Sequence, residues 1–363
     1  MNLYSLSDFD PDATGVANGN YFGFPFNESQ AALSLISVPW DVTVSYRAGS
    51  AAGPRAIIEA STQVEIFDAD YAPDLWRGGI VSLPIDKNIE ELGVCSRECA
   101  ERVIAHIEQG GSESDAVVSA DVRVVNLACR AMVDAVRSQA LGQLSGGRVV
   151  GLVGGDHSTP LGLIEALAVH HPSFGILHID AHADLRQAYE GFEYSHASIM
   201  YNALKIKQVT RLTQVAVRDF SFAEASLAAS DERVIQFTDR QMSIDEFNGI
   251  LWGEQCRRIV DTLPSEVYVS FDIDGLDRSL CPSTGTPVPG GLSWAKAVNL
   301  LIALRDSGRR VIGFDLNEVS PSADDEWDAI VGARLLYKLS LLVLSGVSVR
   351  GVRGVRGVRG VTK

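Results

Sequence analysis

Two kinds of hydrophobic pattern alternate along the chain. Short unbroken apolar runs predict strands that are buried on both faces, and longer segments with apolar residues at helical spacing predict amphipathic helices. Strands are predicted at 32–38, 148–153, 174–180, 212–217, 233–237, 266–273 and 310–317. Helices are predicted at 54–61, 95–107, 117–144, 160–171, 197–206, 244–262, 293–307 and 328–344. This alternation indicates an α/β fold, with a central parallel sheet covered by helices in a three-layer α/β/α arrangement.

The same pattern predicts how the chain is divided. Residues 1–30 are polar and rich in Asn, Asp and Gly, which predicts an irregular N-terminal arm. No linker interrupts residues 31–345, so we expect one domain there, with a weaker strand-and-loop region at 62–93. Residues 346–363 repeat Gly-Val-Arg with too few triplets and no proline for a collagen helix, which predicts a disordered tail without assigned function.

Composition narrows the possible functions. The 31 Lys and Arg against 46 Asp and Glu give a formal charge of -15, which argues against nucleic-acid binding. The five cysteines are an odd number without disulfide spacing, typical of reduced cytosolic thiols. The N-terminus lacks a signal-peptide pattern, and no apolar run reaches the roughly 18 residues that cross a bilayer. We therefore expect a cytoplasmic protein without membrane contact.

Candidate metal ligands follow the predicted strand 174–180. Asp180, His182 and Asp184 lie where that strand passes into a loop. Carboxylate oxygens and neutral imidazoles suit a divalent first-row ion such as Mn²⁺, with Zn²⁺, Fe²⁺, Co²⁺ and Ni²⁺ as alternatives. Read alone, the triplet fits equally well a helix cap with a hydrogen-bonded core histidine.

Further polar side chains end other predicted strands and decide between these interpretations. His157 follows the strand 148–153, Asp272 and Asp274 end the strand 266–273, and Glu318 follows the strand 310–317. In open parallel sheets the carboxyl ends of strands form the ligand-binding edge. Four carboxylates buried together there would be strongly unfavourable without cations. A pair of divalent cations removes that objection, and such a pair can activate one water.

These segments resemble the three metal-binding signatures of the ureohydrolase family of arginases, agmatinases and their relatives. The signatures are Gly-Gly-Asp-His-Ser at 154–158, Asp-Ala-His-Ala-Asp at 180–184 and Ser-Phe-Asp-Ile-Asp-Gly-Leu-Asp at 270–277. Shorter similarities occur at 39–41, 47–57, 285–292 and 318–321, so that the resemblance covers roughly residues 35–340 in order. It implies an arginase-like fold, with residues 31–345 as a ureohydrolase catalytic domain.

The resemblance also implies the ligand sets of two Mn²⁺ per chain, with Ni²⁺, Co²⁺ or Zn²⁺ as alternatives. One ion would be held by His157, Asp180, Asp184 and Asp272. The other would be held by Asp180, His182, Asp272 and Asp274. Asp180 and Asp272 would bridge the ions. Water activated between them would attack the guanidinium carbon, and Asp184 would orient that water.

Other roles follow from the resemblance in the same way. His196 occupies the family's position for a proton-shuttling histidine, and Glu318 would accept hydrogen bonds from the substrate guanidinium. Ser195 belongs to a loop similar to that of agmatinases and is expected to contact substrate. Arg278 replaces the usual proline after Asp277, which alters the local loop. The remaining histidines are expected at the surface or in packing. They are His106, His170, His171 and His178.

The substrate has several interpretations. The loop around His196 favours an agmatinase-like hydrolase that releases urea and an amine from a guanidino compound. Arg186, two residues after Asp184, instead resembles formiminoglutamases and would attract a guanidino acid. An arginase or a guanidine hydrolase is a further alternative.

Two other classes of protein are also considered. A deacetylase-like zinc enzyme would need one metal rather than two, and a catalytically silent scaffold would have no reason to keep all six ligands. Family relatives form trimers or hexamers, which implies a homo-oligomer.

Overall fold

The structure is a computed structural model that describes residues 6–322 and 325–347 of the 363-residue chain. Within these residues the strands are β1 (Leu33–Val38), β2 (Ile80–Ser82), β3 (Val149–Gly154), β4 (Phe174–Ile179), β5 (Val209–Val215), β6 (Val234–Phe237), β7 (Glu266–Asp272) and β8 (Arg310–Asn317). The helices are α1 (Gly53–Ser61), α2 (Lys87–Glu108), α3 (Ser119–Ser145), α4 (Leu161–His170), α5 (Ile199–Leu204), α6 (Phe222–Ser230), α7 (Asp239–Phe247), α8 (Trp252–Asp261), α9 (Trp294–Asp306) and α10 (Trp327–Gly346).

The strands form one parallel sheet of eight, in the order β2-β1-β3-β8-β7-β4-β5-β6. Strands in the centre of the sheet are buried along almost their whole length, because helices cover both faces. One apolar core packs α1, α8, α9 and α10 against the sheet, and a second packs α2, α3, α4 and α5 against the other face. The predicted three-layer α/β/α architecture is confirmed.

The register of the central strands aligns their carboxyl ends. Val153 of β3 pairs with Leu316 of β8, Phe271 of β7 pairs with the same Leu316, and Ile179 of β4 pairs with Phe271. These four residues form one row across four neighbouring strands. The polar residues that follow the row therefore emerge at one level of one sheet edge.

Several element boundaries differ from the prediction. Helix α2 begins at Lys87 rather than near residue 95, because the Asp86 side chain accepts the N–H of Asn88 and caps it. The single helix expected at 244–262 is two helices, α7 and α8. The chain turns between them at Gly249, which has a φ of 85°. Helix α6 was not predicted, whereas strand β2 lies within the strand-and-loop region expected at 62–93.

The N-terminal segment is mostly irregular, as its composition indicates, but it is not a free arm. Between residues 6 and 30 it forms only short 3-10 turns, at Leu6–Asp8 and Tyr21–Gly23. Phe22 and Phe24 are nevertheless buried in the core, against Tyr337 and Trp76 respectively. The Gly-Val-Arg tail lies outside the described residues from position 348 onward.

Helix α10 is long and apolar enough to cross a membrane by length and composition, although no such run was expected from the sequence. In the structure 72% of its apolar segment is buried. It packs against β8, α1 and α9. These contacts are those of a central core helix.

Candidate active site and metal centre

Four neighbouring strands supply the predicted ligands. His157 follows β3, Asp180 follows β4, Asp272 ends β7, and Glu318 follows β8. At β3 the turn requires glycine, since a Cβ on Gly155 would lie 2.0 Å from the carbonyl oxygen of Trp40. The close approach of these loops brings the six predicted ligands to one buried cluster.

His157 is the centre of one half of the cluster. Its Nδ1 lies 2.9 Å from Asp180 Oδ2, 3.3 Å from Asp184 Oδ2 and 3.3 Å from Asp272 Oδ2. Together with His157, these three carboxylates are the four groups expected around one ion. Asp184 reaches this position with a φ of 54°, a left-handed conformation that aspartate tolerates better than most residues.

His182 is the centre of the other half. Its Nδ1 lies 3.4 Å from Asp180 Oδ1 and 3.2 Å from Asp274 Oδ2. The two oxygens of Asp180 therefore face different imidazoles, the geometry of a carboxylate shared between two sites. Asp272 Oδ1 accepts the backbone N–H of Asp274 at 2.8 Å, and its Oδ2 faces His157.

The cluster is anionic and almost fully buried. Asp180, Asp184, Asp272 and Asp274 are each at most 5% exposed. No lysine or arginine of the described residues forms an ion pair with any of them. Only histidine imidazoles do so. Burial and the neighbouring Asp180 raise the pKa of Asp184 to about 6, and burial with the neighbouring Asp274 raises the pKa of Asp272 well above its usual range. The donor set fits two divalent cations that would supply the missing positive charge.

His178 is a member of the cluster that sequence reasoning set aside as a packing residue. It is fully buried within β4, and its Nε2 lies 2.9 Å from Asp180 Oδ2. His157, His178, Asp180 and Asp184 bring their ligand atoms within 4.8 Å of one another. The available signal was strand periodicity, because a residue two positions before Asp180 lies on the same face of β4.

His196 lies at the start of a 3-10 turn at the edge of the cluster. Its Nδ1 is 3.3 Å from the hydroxyl oxygens of both Thr43 and Ser195. Burial and the nearby His182 lower the pKa of His196 to about 3, so its ring is neutral at pH 7. The loop residue Thr43 was not identified from the sequence, because only the fold brings it next to His196.

Glu318 is 6% exposed and has a φ of 62°. Its Oε1 accepts the backbone N–H of His157 at 3.0 Å, which ties β8 to the β3 loop. Burial and the nearby Asp156 raise its pKa well above the usual range. Asp156 accepts hydrogen bonds from Ser158, and Asp277 caps the turn at Ser279.

A cavity of about 620 Å³ opens beside the cluster. Its wall includes His182, Asp184 and His196, and its outer part carries both charge signs. The charged residues of the outer part are Arg47, Arg186, Asp219, Glu224 and Arg278.

Arg186 reaches this cavity as expected, with its guanidinium 4.8 Å above the ring of Tyr189 and its Nε 3.7 Å from Glu224 Oε2. The expected substrate contact of Ser195 is not supported by its position, because Ser195 is fully buried behind His196 and does not line the cavity. Its hydroxyl instead accepts the N–H of Ala197 and caps the turn.

Comparisons with known proteins show what this chain is similar to. A family model described as the arginase family matches residues 31–342. The chain is 31% identical to an N(1)-aminopropylagmatine ureohydrolase of Thermus thermophilus, over 86% of this chain and 90% of the relative. It is also 31% identical to an agmatinase of Neisseria meningitidis, over 90% and 94%.

Solved structures show the same fold. Proclavaminate amidino hydrolase from Streptomyces clavuligerus is 23% identical with a TM-score of 0.70, over 93% of this chain and 100% of that chain. Agmatine ureohydrolase of Thermoplasma volcanium is 23% identical with a TM-score of 0.66, over 93% and 96%.

Proposed function

The chain belongs to the arginase family, and on that premise we propose that it hydrolyses a linear guanidino compound to urea and an amine. This proposal rests on two clusters of carboxylate and imidazole groups, one around His157 and one around His182, that have Asp180 in common. Buried, anionic and lacking a cationic partner among the described residues, these groups are suited to binding two divalent cations.

The proposed ligands are those implied by the resemblance. His157, Asp180, Asp184 and Asp272 would hold one Mn²⁺, and Asp180, His182, Asp272 and Asp274 the other. When bound, such ions supply Lewis acidity and a nucleophile from water at neutral pH. Asp184, which lines the cavity, is placed to orient that nucleophile by accepting its hydrogen bond.

His196 is proposed to carry the proton to the departing nitrogen. Its ring lines the cavity next to the cluster, and imidazole is the side chain most often used to transfer protons in catalysis. Glu318, whose Oε1 is held by the backbone of His157, is proposed to receive the guanidinium through its carboxylate.

Agmatine is the first candidate substrate. The curated relatives at 31% identity are an agmatinase and an aminopropylagmatine ureohydrolase, enzymes named for guanidino compounds that carry a cationic amine. In this chain the outer cavity contains Asp219 and Glu224. Glu224 already pairs with Arg186 and caps α6, so Asp219 is the carboxylate available to an ammonium group.

A guanidino acid is the second candidate, and a specific observation favours it. Arg47 and Arg278 line the outer cavity, and neither has a carboxylate partner among the described residues. Arg278 stands where the family usually has proline. Two free guanidinium groups would attract a substrate carboxylate and repel an ammonium group.

Two compounds of matched shape separate these candidates. Urea release is measured with Mn²⁺ on agmatine, which ends in an ammonium group, and on 4-guanidinobutanoate, which ends in a carboxylate. If agmatine is the substrate, kcat/KM for agmatine exceeds that for the acid, and Asp219→Asn lowers only the agmatine value. If the acid is the substrate, the preference is reversed and Arg278→Gln lowers only the acid value.

Three further results would contradict the proposed reaction. Protein that binds two Mn²⁺ per chain and releases no urea from any guanidino compound contradicts it directly. Release of formamide from a formimino substrate indicates a formiminoglutamase instead. A single ion per chain indicates the deacetylase-like class.

We also propose a cytoplasmic homo-oligomer, a trimer or a hexamer. The support is the family membership for the assembly, and the reduced-thiol composition for the compartment. Light scattering coupled to size exclusion measures the assembly, and a monomeric mass would contradict it.

A further inference from the structure

The hydrogen bonds of His178 distinguish it from the other histidines of the cluster. Its Nε2 lies 2.9 Å from Asp180 Oδ2, and its Nδ1 lies 2.9 Å from Nε2 of Gln214. His178, Asp180 and Gln214 are each at most 1% exposed, so water does not compete for these bonds. Both ring nitrogens of His178 are therefore occupied by protein groups.

Gln214 fixes which ring nitrogen of His178 carries the proton. The Gln214 amide nitrogen donates to the carbonyl oxygen of Ala183 at 2.7 Å, and its Oε1 accepts from Gln236 Nε2 at 2.9 Å. A flipped Gln214 amide would place its Oε1 against the Ala183 carbonyl oxygen and its Nε2 against the Gln236 amide nitrogen. Gln214 therefore donates its second hydrogen to His178 Nδ1, which leaves the proton on Nε2 facing Asp180.

We propose that His178 is a positioning residue that holds the shared carboxylate Asp180 for two divalent cations, and that it is not itself a metal ligand. The chain Gln236, Gln214, His178, Asp180 runs across β6, β5 and β4 and ends on the carboxylate common to both halves of the cluster. This inference rests on the proposed binuclear site and adds a residue that the resemblance did not assign.

The two oxygens of Asp180 are fixed from opposite sides. Oδ2 accepts from His178, and Oδ1 accepts the backbone N–H of His182 at 2.6 Å. Neither of these donors needs to move when cations enter, because both belong to the same strand end as Asp180. The carboxylate is therefore held in its bridging orientation before the ions bind, which is the role of orienting partners around metal ligands.

The alternative, that His178 binds metal directly, requires the Nε2 lone pair to face the cluster. Its Nδ1 would then carry the proton and point at the Gln214 amide nitrogen, which is also a donor. That contact is repulsive, and Gln214 cannot flip without opposing the Ala183 carbonyl. The hydrogen-bond network thus favours the positioning role over ligation.

The test compares three variants of the full chain with Mn²⁺ alone as the probe. His178→Met keeps the volume and removes the donor, and His178→Gln keeps an amide donor near the Nε2 position. His171→Met is the control, because His171 is also a paired histidine but contacts Glu266 at the opposite edge of the sheet. Metal content, Mn²⁺ affinity and the spin-coupled EPR signal of a Mn²⁺ pair are measured without substrate.

We expect wild type, His178→Gln and His171→Met to bind two Mn²⁺ with the coupled EPR signal. We expect His178→Met to lose about 10- to 100-fold in Mn²⁺ affinity and most of the coupled signal. Unchanged binding by His178→Met would overturn the proposal, as would a loss in His178→Gln as large as in His178→Met. Failure of wild type to bind two ions would instead contradict the proposed function itself.

A second measurement decides the matter if His178→Met does not fold. In ¹⁵N-histidine-labelled, metal-free wild type, the His178 signals are assigned by their loss in His178→Gln. A proton on Nε2 is expected, because this atom faces Asp180 Oδ2. An Nε2 without a proton would overturn the proposal, because the donor to Asp180 would be missing.

Discussion

Acidic side chains differ in their partners and in their burial between the two edges of the sheet. At the amino-terminal edge, Glu266 of β7 pairs with His171 at 2.8 Å and with Arg310 of β8 at 3.2 Å. At the carboxyl-terminal edge, Asp180, Asp272 and their neighbours are deeper and more crowded, with no lysine or arginine partner among the described residues.

We interpret the difference as one between charges that serve the fold and charges that serve the proposed metal site. A half-exposed ion pair such as Glu266–Arg310 adds little free energy, and its loss is tolerated. A group of buried carboxylates without cationic partners destabilises the metal-free protein and persists where function requires it. The predictions below test this division from the largest expected effect to the smallest.

The largest effect is expected from Asp272→Asn. The substitution removes a charge that faces His157 and is proposed to bridge both ions. We expect kcat/KM for urea release to fall by about three orders of magnitude, corresponding to roughly 4 kcal/mol of lost charge stabilisation. The metal-free variant should also unfold at a higher temperature than metal-free wild type, because carboxylate repulsion is relieved.

Activity assays, metal analysis and thermal unfolding of the metal-free proteins measure these effects. A variant that is less stable without metal than wild type would show that Asp272 serves the fold, and the comparison of the two edges would fail.

The second effect is the stabilisation of wild type by Mn²⁺. Because the ions would bind the folded state only, free Mn²⁺ at a hundred times its dissociation constant should add about 2.7 kcal/mol to the free energy of unfolding per site. Urea unfolding with Mn²⁺ and with a chelator measures the difference. Asp272→Asn serves as the matched control, and an equal gain in that variant would contradict binding at the carboxyl-terminal edge.

The third effect concerns Glu190, a partly exposed carboxylate that is not a predicted ligand. Its Oε2 is buried without a hydrogen-bond partner among the described residues. Burial and the nearby Glu108 raise its pKa to about 7. Because the folded state then holds this proton more tightly than the unfolded state, stability should fall as pH rises from the ordinary carboxyl range to about 7.

Glu190→Gln should remove that fall. At about pH 8 we expect the variant to be more stable than wild type by about 1 to 2 kcal/mol, a value reduced by solvent screening, with a smaller difference at about pH 5. Urea unfolding at both pH values measures it. A difference that does not grow with pH would show that Glu190 is not held in its neutral form.

The smallest effect is expected from Glu266→Gln at the amino-terminal edge. The loss of two partly exposed ion pairs should lower the free energy of unfolding by less than about 1 kcal/mol. Mn²⁺ binding and urea release should not change. A large loss of activity in this variant would mean that the two edges are coupled, contrary to the division proposed above.

Much of the candidate site was accessible from the sequence because its residues follow buried strands. An apolar run predicts where a strand ends, and parallel strands bring those ends to one edge, so His157, Asp180 and Asp272 could be grouped without coordinates. The same reasoning failed for helix α2 and for the break between α7 and α8. There a single capping aspartate and a single glycine with positive φ set the boundaries.

His178 and Ser195 show where sequence reasoning stops. Each stands next to predicted site residues in the sequence, yet its expected role depended on where its side chain would lie. The structure turns His178 toward Asp180 because Gln214 of the neighbouring strand occupies its other nitrogen. It holds Ser195 behind His196 because the serine caps a turn.

The order of apolar runs and the residues that end them determined the layered fold, the binding edge and the ligand types, since each depends on local pattern and strand direction. The tertiary structure alone decided which oxygen of Asp180 faces which imidazole, and which residues outside the signatures hold them. Those contacts join residues as distant in sequence as Thr43 and His196, or His178 and Gln214. Packing of complete elements fixes such distances, and no local pattern records them.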